Sequence, residues 1–377
     1  MNTTELLEKA VSAGSSDIFV VAGRPVSMRI HGDIRMEDNT RLLPDDTRRI
    51  IEQIYELAGH RDIGILEDTG DDDFSFAVPG LSRFRVSAFK QRGSLSVVIR
   101  IISFTLPDPS AFGIPEKIIR FADFSKGMVL VTGPAGSGKS TTLACIIDHI
   151  NKNYDKHIIT LEDPLEFLHR HNRSIVSQRE INVDTENYVT ALRASLRQSP
   201  DVILLGEMRD YETMQVAMTA AETGHLLFST LHTIGAANTI DRIIDVFPPN
   251  QQRQIAVQLS MVLQAVVSQQ LVPTTDGGIT PAFEIMIVNP AIRNMIRDNK
   301  IPQIDGLIYS SAGNDLVSMD SSLLSLYKNG RITADTALAY ASNPEMLKKK
   351  GLSVNGSSKR GRQMNRNDSS VSPKFYL

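Results

Sequence analysis

The sequence predicts an α/β protein: a mostly parallel sheet covered by helices, with a smaller α+β domain before it and a helical segment after it. Three observations predict this. From Ile114 onward, short apolar runs of strand length alternate with helical runs, the pattern of a parallel sheet with crossover helices. Before that, residues 73–78, 82–89 and 94–102 alternate apolar and polar residues and are separated by Pro79-Gly80 and Arg92-Gly93, which reads as a meander. Between the two regions, Phe104-Thr105-Leu106-Pro107-Asp108-Pro109-Ser110 has no periodicity and reads as a linker.

The boundaries follow: a small domain over 1–104, a linker over 105–115, an α/β domain with a mostly parallel sheet over 116–288, a helical subdomain over 289–350, and a Ser-, Asn-, Lys- and Arg-rich tail over 351–377 expected to be disordered. In the first domain a helix over 4–13 ends near Gly14. Runs 17–21 and 26–30 flank Ala22-Gly23-Arg24-Pro25 as a hairpin, and Pro44-Asp45-Asp46 opens a helix with Ile50, Ile51, Ile54 and Leu57 on one face. In the second, strands are expected at 128–132, 158–161, 202–205, 226–230 and 283–288. Helices are expected at 139–153, 185–198, 211–222 and 251–270.

Composition narrows the class. Net charge is −3, which removes a global attraction to nucleic acid. One cysteine, Cys145, lies in an apolar run; it excludes an internal disulfide and a cysteine metal cluster, and a buried thiol in a reducing, cytoplasmic setting is expected. Residues 1–10 lack a basic stretch followed by an apolar one, so no signal peptide is expected. The apolar runs fall far short of the roughly 20 residues of a membrane span, so membrane contact is expected only through a partner.

The chemistry starts at Gly133-Pro134-Ala135-Gly136-Ser137-Gly138-Lys139-Ser140, a complete phosphate-binding (Walker A) loop between a strand and a helix, with Thr141 next in line. Glycines let successive amides face a phosphate chain, and the helix aims its positive end at the same anion. Lys139 would reach the β- and γ-phosphates of ATP, and the Ser140 hydroxyl would ligate Mg2+. Asp201-Val202-Ile203-Leu204-Leu205-Gly206-Glu207 is a buried strand with an acid at its carboxyl end, where open sheets bind ligands. Glu207 could hold Mg2+ through water or be a solvated loop acid; Gly206 stands where a Walker B aspartate is usual. Ile158-Ile159-Thr160-Leu161-Glu162-Asp163-Pro164-Leu165-Glu166-Phe167 again delivers acids at a strand end, with Glu162 the choice for a base that activates water and Asp163 either an indirect metal ligand or a turn cap. A third strand ends in Thr230, His232 and Thr233; His232 could touch the γ-phosphate, and His225 precedes that strand, although a lone histidine is more often a structural hydrogen bonder. Arg83, Arg85, Arg92 and Arg100 lie on the meander, either as a solvated face or as groups that reach a neighbouring copy's nucleotide.

Together these motifs resemble the hexameric secretion-superfamily ATPases (GspE/PilT type), most closely the PilT-like type IV pilus retraction ATPases of twitching motility, over about residues 1–350. Thr160 through Phe167 resembles the family's Asp box, Leu204 through Asp210 its Walker B, and His225 through His232 its His box. Phe247-Pro248-Pro249-Asn250-Gln251-Gln252 and Ser268-Gln269-Gln270-Leu271-Val272-Pro273 are also typical. Ala291-Ile292-Arg293-Asn294-Met295-Ile296-Arg297, followed by Lys300-Ile301-Pro302-Gln303-Ile304, resembles a signature associated with retraction. The resemblance implies a homo-hexameric ring of subunits, each with a PAS-like N-terminal domain and a RecA-like ATPase domain. It implies Glu162 as general base, Glu207 assisting Mg2+ and water, and His232 sensing nucleotide. It also implies work on an inner-membrane platform protein from the cytoplasmic face. The sequence departs from the family at Ile18-Phe19, where many relatives have Leu-His, and at Ala135, where the loop often has threonine. The absence of a tetracysteine zinc site favours retraction over the rival reading, an assembly, type II secretion or competence ATPase. A RecA-like nucleic-acid motor is disfavoured by the acidic balance.

Overall fold

The computed structural model describes residues 2–30, 32–102, 104, 106–311 and 315–349, so the expected tail over 351–377 lies outside the described residues. The chain forms two compact units that divide between residues 105 and 106.

The first unit comprises α1 (Thr3–Ser12), β1 (Ser15–Val20), β2 (Ser27–Ile30), β3 (Asp33–Met36), α2 (Pro44–Leu57), α3 (Gly64–Thr69), β4 (Asp71–Val78), β5 (Ser82–Gln91) and β6 (Ser94–Ile102). Its strands make one antiparallel sheet in the order β3-β2-β1-β6-β5-β4. Period-two alternation sets the register: Phe84, Val86 and Ala88 of β5 are buried, while Arg83 and Arg85 stand between them on the other face. Leu6, Leu7, Ile51, Ile54, Phe84 and Ile99 belong to one core cluster, which α1 and α2 close over the sheet. The β5–β6 turn uses Arg92 and Gly93, both with positive φ (50° and 78°), as a two-residue hairpin requires. β3 had no expectation, since all four of its residues are exposed and no alternation marks it.

The second unit holds α4 (Glu116–Ile119), a short 3-10 turn, β7 (Gly127–Thr132), α5 (Lys139–Asn153), β8 (His157–Glu162), β9 (Ile175–Glu180), α6 (Tyr188–Ser195), β10 (Val202–Leu205), α7 (Tyr211–Glu222), β11 (Leu226–Leu231), α8 (Ala236–Asp245), α9 (Pro249–Val262), β12 (Leu263–Pro273) and β13 (Ile279–Ile287). It continues through α10 (Pro290–Arg297), α11 (Pro302–Ser310), β14 (Leu316–Val317), α12 (Met319–Lys328), α13 (Ala334–Tyr340) and α14 (Pro344–Lys349). Its sheet runs β14-β13-β12-β7-β11-β10-β8-β9. It is parallel from β12 to β9 and antiparallel where β13 and β14 join the edge, so the α/β class and the mostly parallel sheet stand as expected. Every residue of β7, β10 and β11 is buried, as strands covered on both faces must be.

Two expectations fail. The single helix over 251–270 is α9 followed by β12: Leu263 to Ser268 pair with β7 from Met128 to Thr132, and β13 pairs along the other side. Two waiting strands, and the β-branched Val266 and Val267, overrule a helical reading of that run. The helix over 185–198 is shorter, because Asn187 caps it by accepting a hydrogen bond from the Thr190 N–H at 2.8 Å.

Candidate functional site

The loop after β7 turns on three positive-φ glycines, Gly133, Gly136 and Gly138. Gly133 has φ 141° and Gly138 φ 85°, conformations that side chains rarely adopt. Pro134, Ala135 and Gly136 are exposed, so the crest of the loop is open to a ligand. Gly138 begins α5 without a side-chain cap, and the first-turn N–H groups, which include those of Lys139, Ser140 and Thr141, have no intrahelical acceptor. Buried Ser137 Oγ also has no hydrogen-bond partner among the described residues. The result is a nest of donors at a helix N-terminus, suited to phosphate. Lys139 lies back over the loop: its Nζ donates to Gly133 O and Pro134 O, each at 2.9 Å. Burial lowers the pKa of this amine, against the attraction of Glu166 and then Glu207.

The sheet brings the other candidates to the same end. β7, β11, β10 and β8 are consecutive and parallel, so the phosphate loop, His232, Glu207 and Glu162 leave from adjacent carboxyl tips. The tips are stitched together. Gly206 N–H donates to Leu161 O at 2.8 Å, Thr230 Oγ1 to Gly206 O at 2.6 Å, and Met208 N–H to Thr230 O at 3.2 Å. Glu207, with a side chain only 12% exposed, is engaged at both oxygens: Oε1 with Arg209 at 2.5 Å and Oε2 with His232 Nε2 at 3.3 Å. Burial pushes the Glu162 carboxyl up to about 7, with the nearby polar side chains of Thr160 and Gln178 acting in the opposite direction. Tyr188 lies amid Glu207, Asp163 and Glu162; burial first, then those three acids, raise its pKa.

Gly206 explains the missing aspartate. A Cβ there would stand 2.9 Å from the Tyr188 hydroxyl and 3.2 Å from Leu161 O, so the acid falls one residue later, at Glu207. A hydroxyl on the first turn of α5 and a carboxylate close enough to attract Lys139 are hard oxygen donors, and they fit a magnesium ion that keeps most of its water.

His225 stands apart from this group. It precedes β11 at the amino end of the sheet, roughly 20 Å along the chain from His232 at the rise of a strand. Its Nδ1 meets Ala220 O at 2.9 Å and Thr223 Oγ1 at 3.2 Å. The four arginines belong to the first unit. Arg85 faces Arg100 across β5 and β6, Arg100 Nε bonds Asp17 Oδ1 at 3.0 Å, and Arg92 forms the hairpin turn. Four residues of the site had not been singled out: Glu166, Tyr188, Arg209 and Gln269. Glu166 and Arg209 sit inside motifs that were read for other positions. Gln269 sits in the Ser268 to Pro273 run already noted as typical of the family, but no role followed from it, because the start of its strand was read as helix.

The sequence profile of the type II/IV secretion system protein family matches residues 2–304. The chain is 43% identical over 345 residues to the "Type IV pilus retractation ATPase PilT" of Pseudomonas aeruginosa, covering 92% of this chain and 99% of the relative. It is 43% identical over 343 residues to a "Twitching motility protein" of Neisseria gonorrhoeae, covering 91% of each. Among solved structures it resembles a crystal structure of the pilus retraction motor PilT with bound ADP, with TM-score 0.84 and 44% identity over 93% of this chain and 99% of that one.

Proposed function

This chain belongs to the type II/IV secretion system protein family, and on that footing we propose that it is an ATP-hydrolysing motor that drives type IV pilus retraction. The observation that carries the reading is the row of parallel strand tips β7-β11-β10-β8, which sets a phosphate loop, a histidine and two acids side by side. Full-length likeness to relatives named for retraction and twitching supports the choice of task.

In this reading the amides of Gly136 to Thr141 receive the β- and γ-phosphates of ATP. Lys139 exchanges the carbonyls of Gly133 and Pro134 for phosphate oxygens. Magnesium, held at Ser140 directly and at Glu207 through water, would supply charge neutralisation between the phosphates. Glu162 takes the proton of the attacking water, a task for which a carboxyl pushed up to about 7 is well matched. His232 reports on the γ-phosphate through its contact with Glu207.

The finer architecture belongs to the same proposal. It has a PAS-like domain over 1–104, a linker over 105–115, a RecA-like ATPase domain over 116–288 and a helical C-terminal subdomain over 289–350, assembled as a homo-hexamer. In the ring, Arg83, Arg85, Arg92, Arg100 and His225 are candidates for contacts with a neighbouring copy. The ring acts on a membrane platform protein from the cytoplasmic side. That no helix among the described residues is long and apolar enough to cross a membrane is consistent with attachment through a partner.

Glu162→Gln tests the site. The variant is expected to bind Mg·ATP like the parent while hydrolysis falls by about 100-fold or more. Hydrolysis at the parental rate would remove Glu162 from the mechanism.

A further inference from the structure

We propose that Gln269 is a positioning residue for the phosphate loop, holding it in the curvature that receives a nucleotide. The proposal rests on the nucleotide-binding reading above and deepens it.

Gln269 lies on β12 and is 3% exposed. β12 runs parallel to β7, and their pairing ends with Ser268 opposite Thr132, so Gln269 comes level with the start of the loop. It meets the loop at two points and the helix that follows at a third. Its main-chain oxygen stands 2.2 Å from where a Cβ on Gly133 would be, which leaves that position to glycine. Its side-chain Nε2 stands 2.9 Å from the corresponding point on Gly138. Its Oε1 accepts a hydrogen bond of 2.7 Å from Thr142 Oγ1, a buried hydroxyl on the first turn of α5. One residue therefore abuts Gly133 and Gly138, two of the loop's three positive-φ glycines, which bracket the crest at Gly136, and is bonded to the helix that follows.

The neighbouring rung serves the other side of the site. Ser268 Oγ accepts from Gly235 N–H at 2.9 Å, and Glu284, opposite Ser268 in register, accepts from Ala236 N–H at 2.8 Å. Successive strand residues face opposite ways. The same segment of β12 thus holds the phosphate loop with Gln269 and the chain beyond His232 with Ser268.

A loop already shaped for its ligand loses less freedom on binding. A positioning residue of this kind changes nucleotide affinity more than turnover at saturation, whereas a residue that only fills the core changes stability. The test uses the purified full chain with Gln269→Met, Thr142→Val and the double variant. The readouts are equilibrium affinity for Mg·ADP, KM and kcat for ATP, and the thermal midpoint without nucleotide. Each single variant is expected to weaken ADP binding and raise KM by about tenfold, with kcat within about twofold of the parent. The double variant is expected to be no worse than either single one, because both remove one bond. Parental ADP affinity in Gln269→Met overturns the proposal, as do effects that multiply in the double variant. Should Gln269→Met fail to fold, Thr142→Val reads the bond from its other end, and unchanged affinity there overturns it equally. A parent chain that binds no nucleotide defeats the functional reading itself, an outcome distinct from a parent that binds and variants that match it.

Discussion

Glu162 is a carboxyl placed where carrying charge is costly. Burial pushes it up to about 7 from an ordinary value of 4.5, and the nearby polar side chains of Thr160 and Gln178 offset only part of that. A base must be ionised before it can accept a proton. kcat/KM for ATP is therefore expected to fall about tenfold per pH unit below about 7 and to level off above it. The pH profile of hydrolysis, beside a pH series of ADP binding as control, checks this. A flat profile between pH 5.5 and about 8 would assign the proton to another group. At this scale the loop itself was open to reading, since all its chemistry lies in eight contiguous residues, Gly133 to Ser140. The role of Gln269 was closed to it: its run was noted as typical of the family, but a contact with Thr142 across 127 residues leaves no mark on either neighbourhood.

Elements show the same division. β7, β10 and β11 announce themselves as unbroken apolar runs because both faces are covered. β9 does not, since Ile175 through Glu180 is a polar strand at the sheet edge with a mixed burial pattern. It nevertheless carries Gln178, which accepts from His169 N–H at 2.7 Å and donates to Phe167 O at 2.9 Å, and so fixes the chain that follows Glu162. In the first unit β4 is pinned to the end of α2 by Asp72, a side chain 4% exposed. Arg61 donates to both its oxygens, at 2.8 and 2.7 Å, and the Tyr55 hydroxyl donates at 2.8 Å. Burial alone would raise the Asp72 pKa, but these bonds outweigh it and the pKa is lowered. The sign follows: this stabilisation is present above the unfolded value near 3.8 and is lost as pH falls through the folded one. Asp72→Asn is expected to cost about 2–3 kcal/mol at neutral pH, less than a fully buried pair because Arg61 is partly exposed, and progressively less in acid. Thermal melts of the parent and variant from pH 7 to about 3 measure both the size and the trend. An equal loss at every pH would show that the effect is one of packing.

For the whole molecule, the proposed ring makes a demand of its own. If Arg83, Arg85 or Arg92 serves a neighbouring copy, one copy alone is incomplete. Hydrolysis per chain is then expected to rise steeply with concentration and to coincide with a six-copy particle when mass and activity are measured on the same fractions. Activity that follows the single chain would confine the machinery to one copy. The crowding at position 206 has a longer consequence. Any side chain placed there sets its Cβ 2.9 Å from the Tyr188 hydroxyl and 3.2 Å from Leu161 O. The tyrosine would have to move aside or shrink before the glycine could change. Drift along the descendants of this sequence is therefore ordered: position 206 stays closed to an acid while Tyr188 keeps its place.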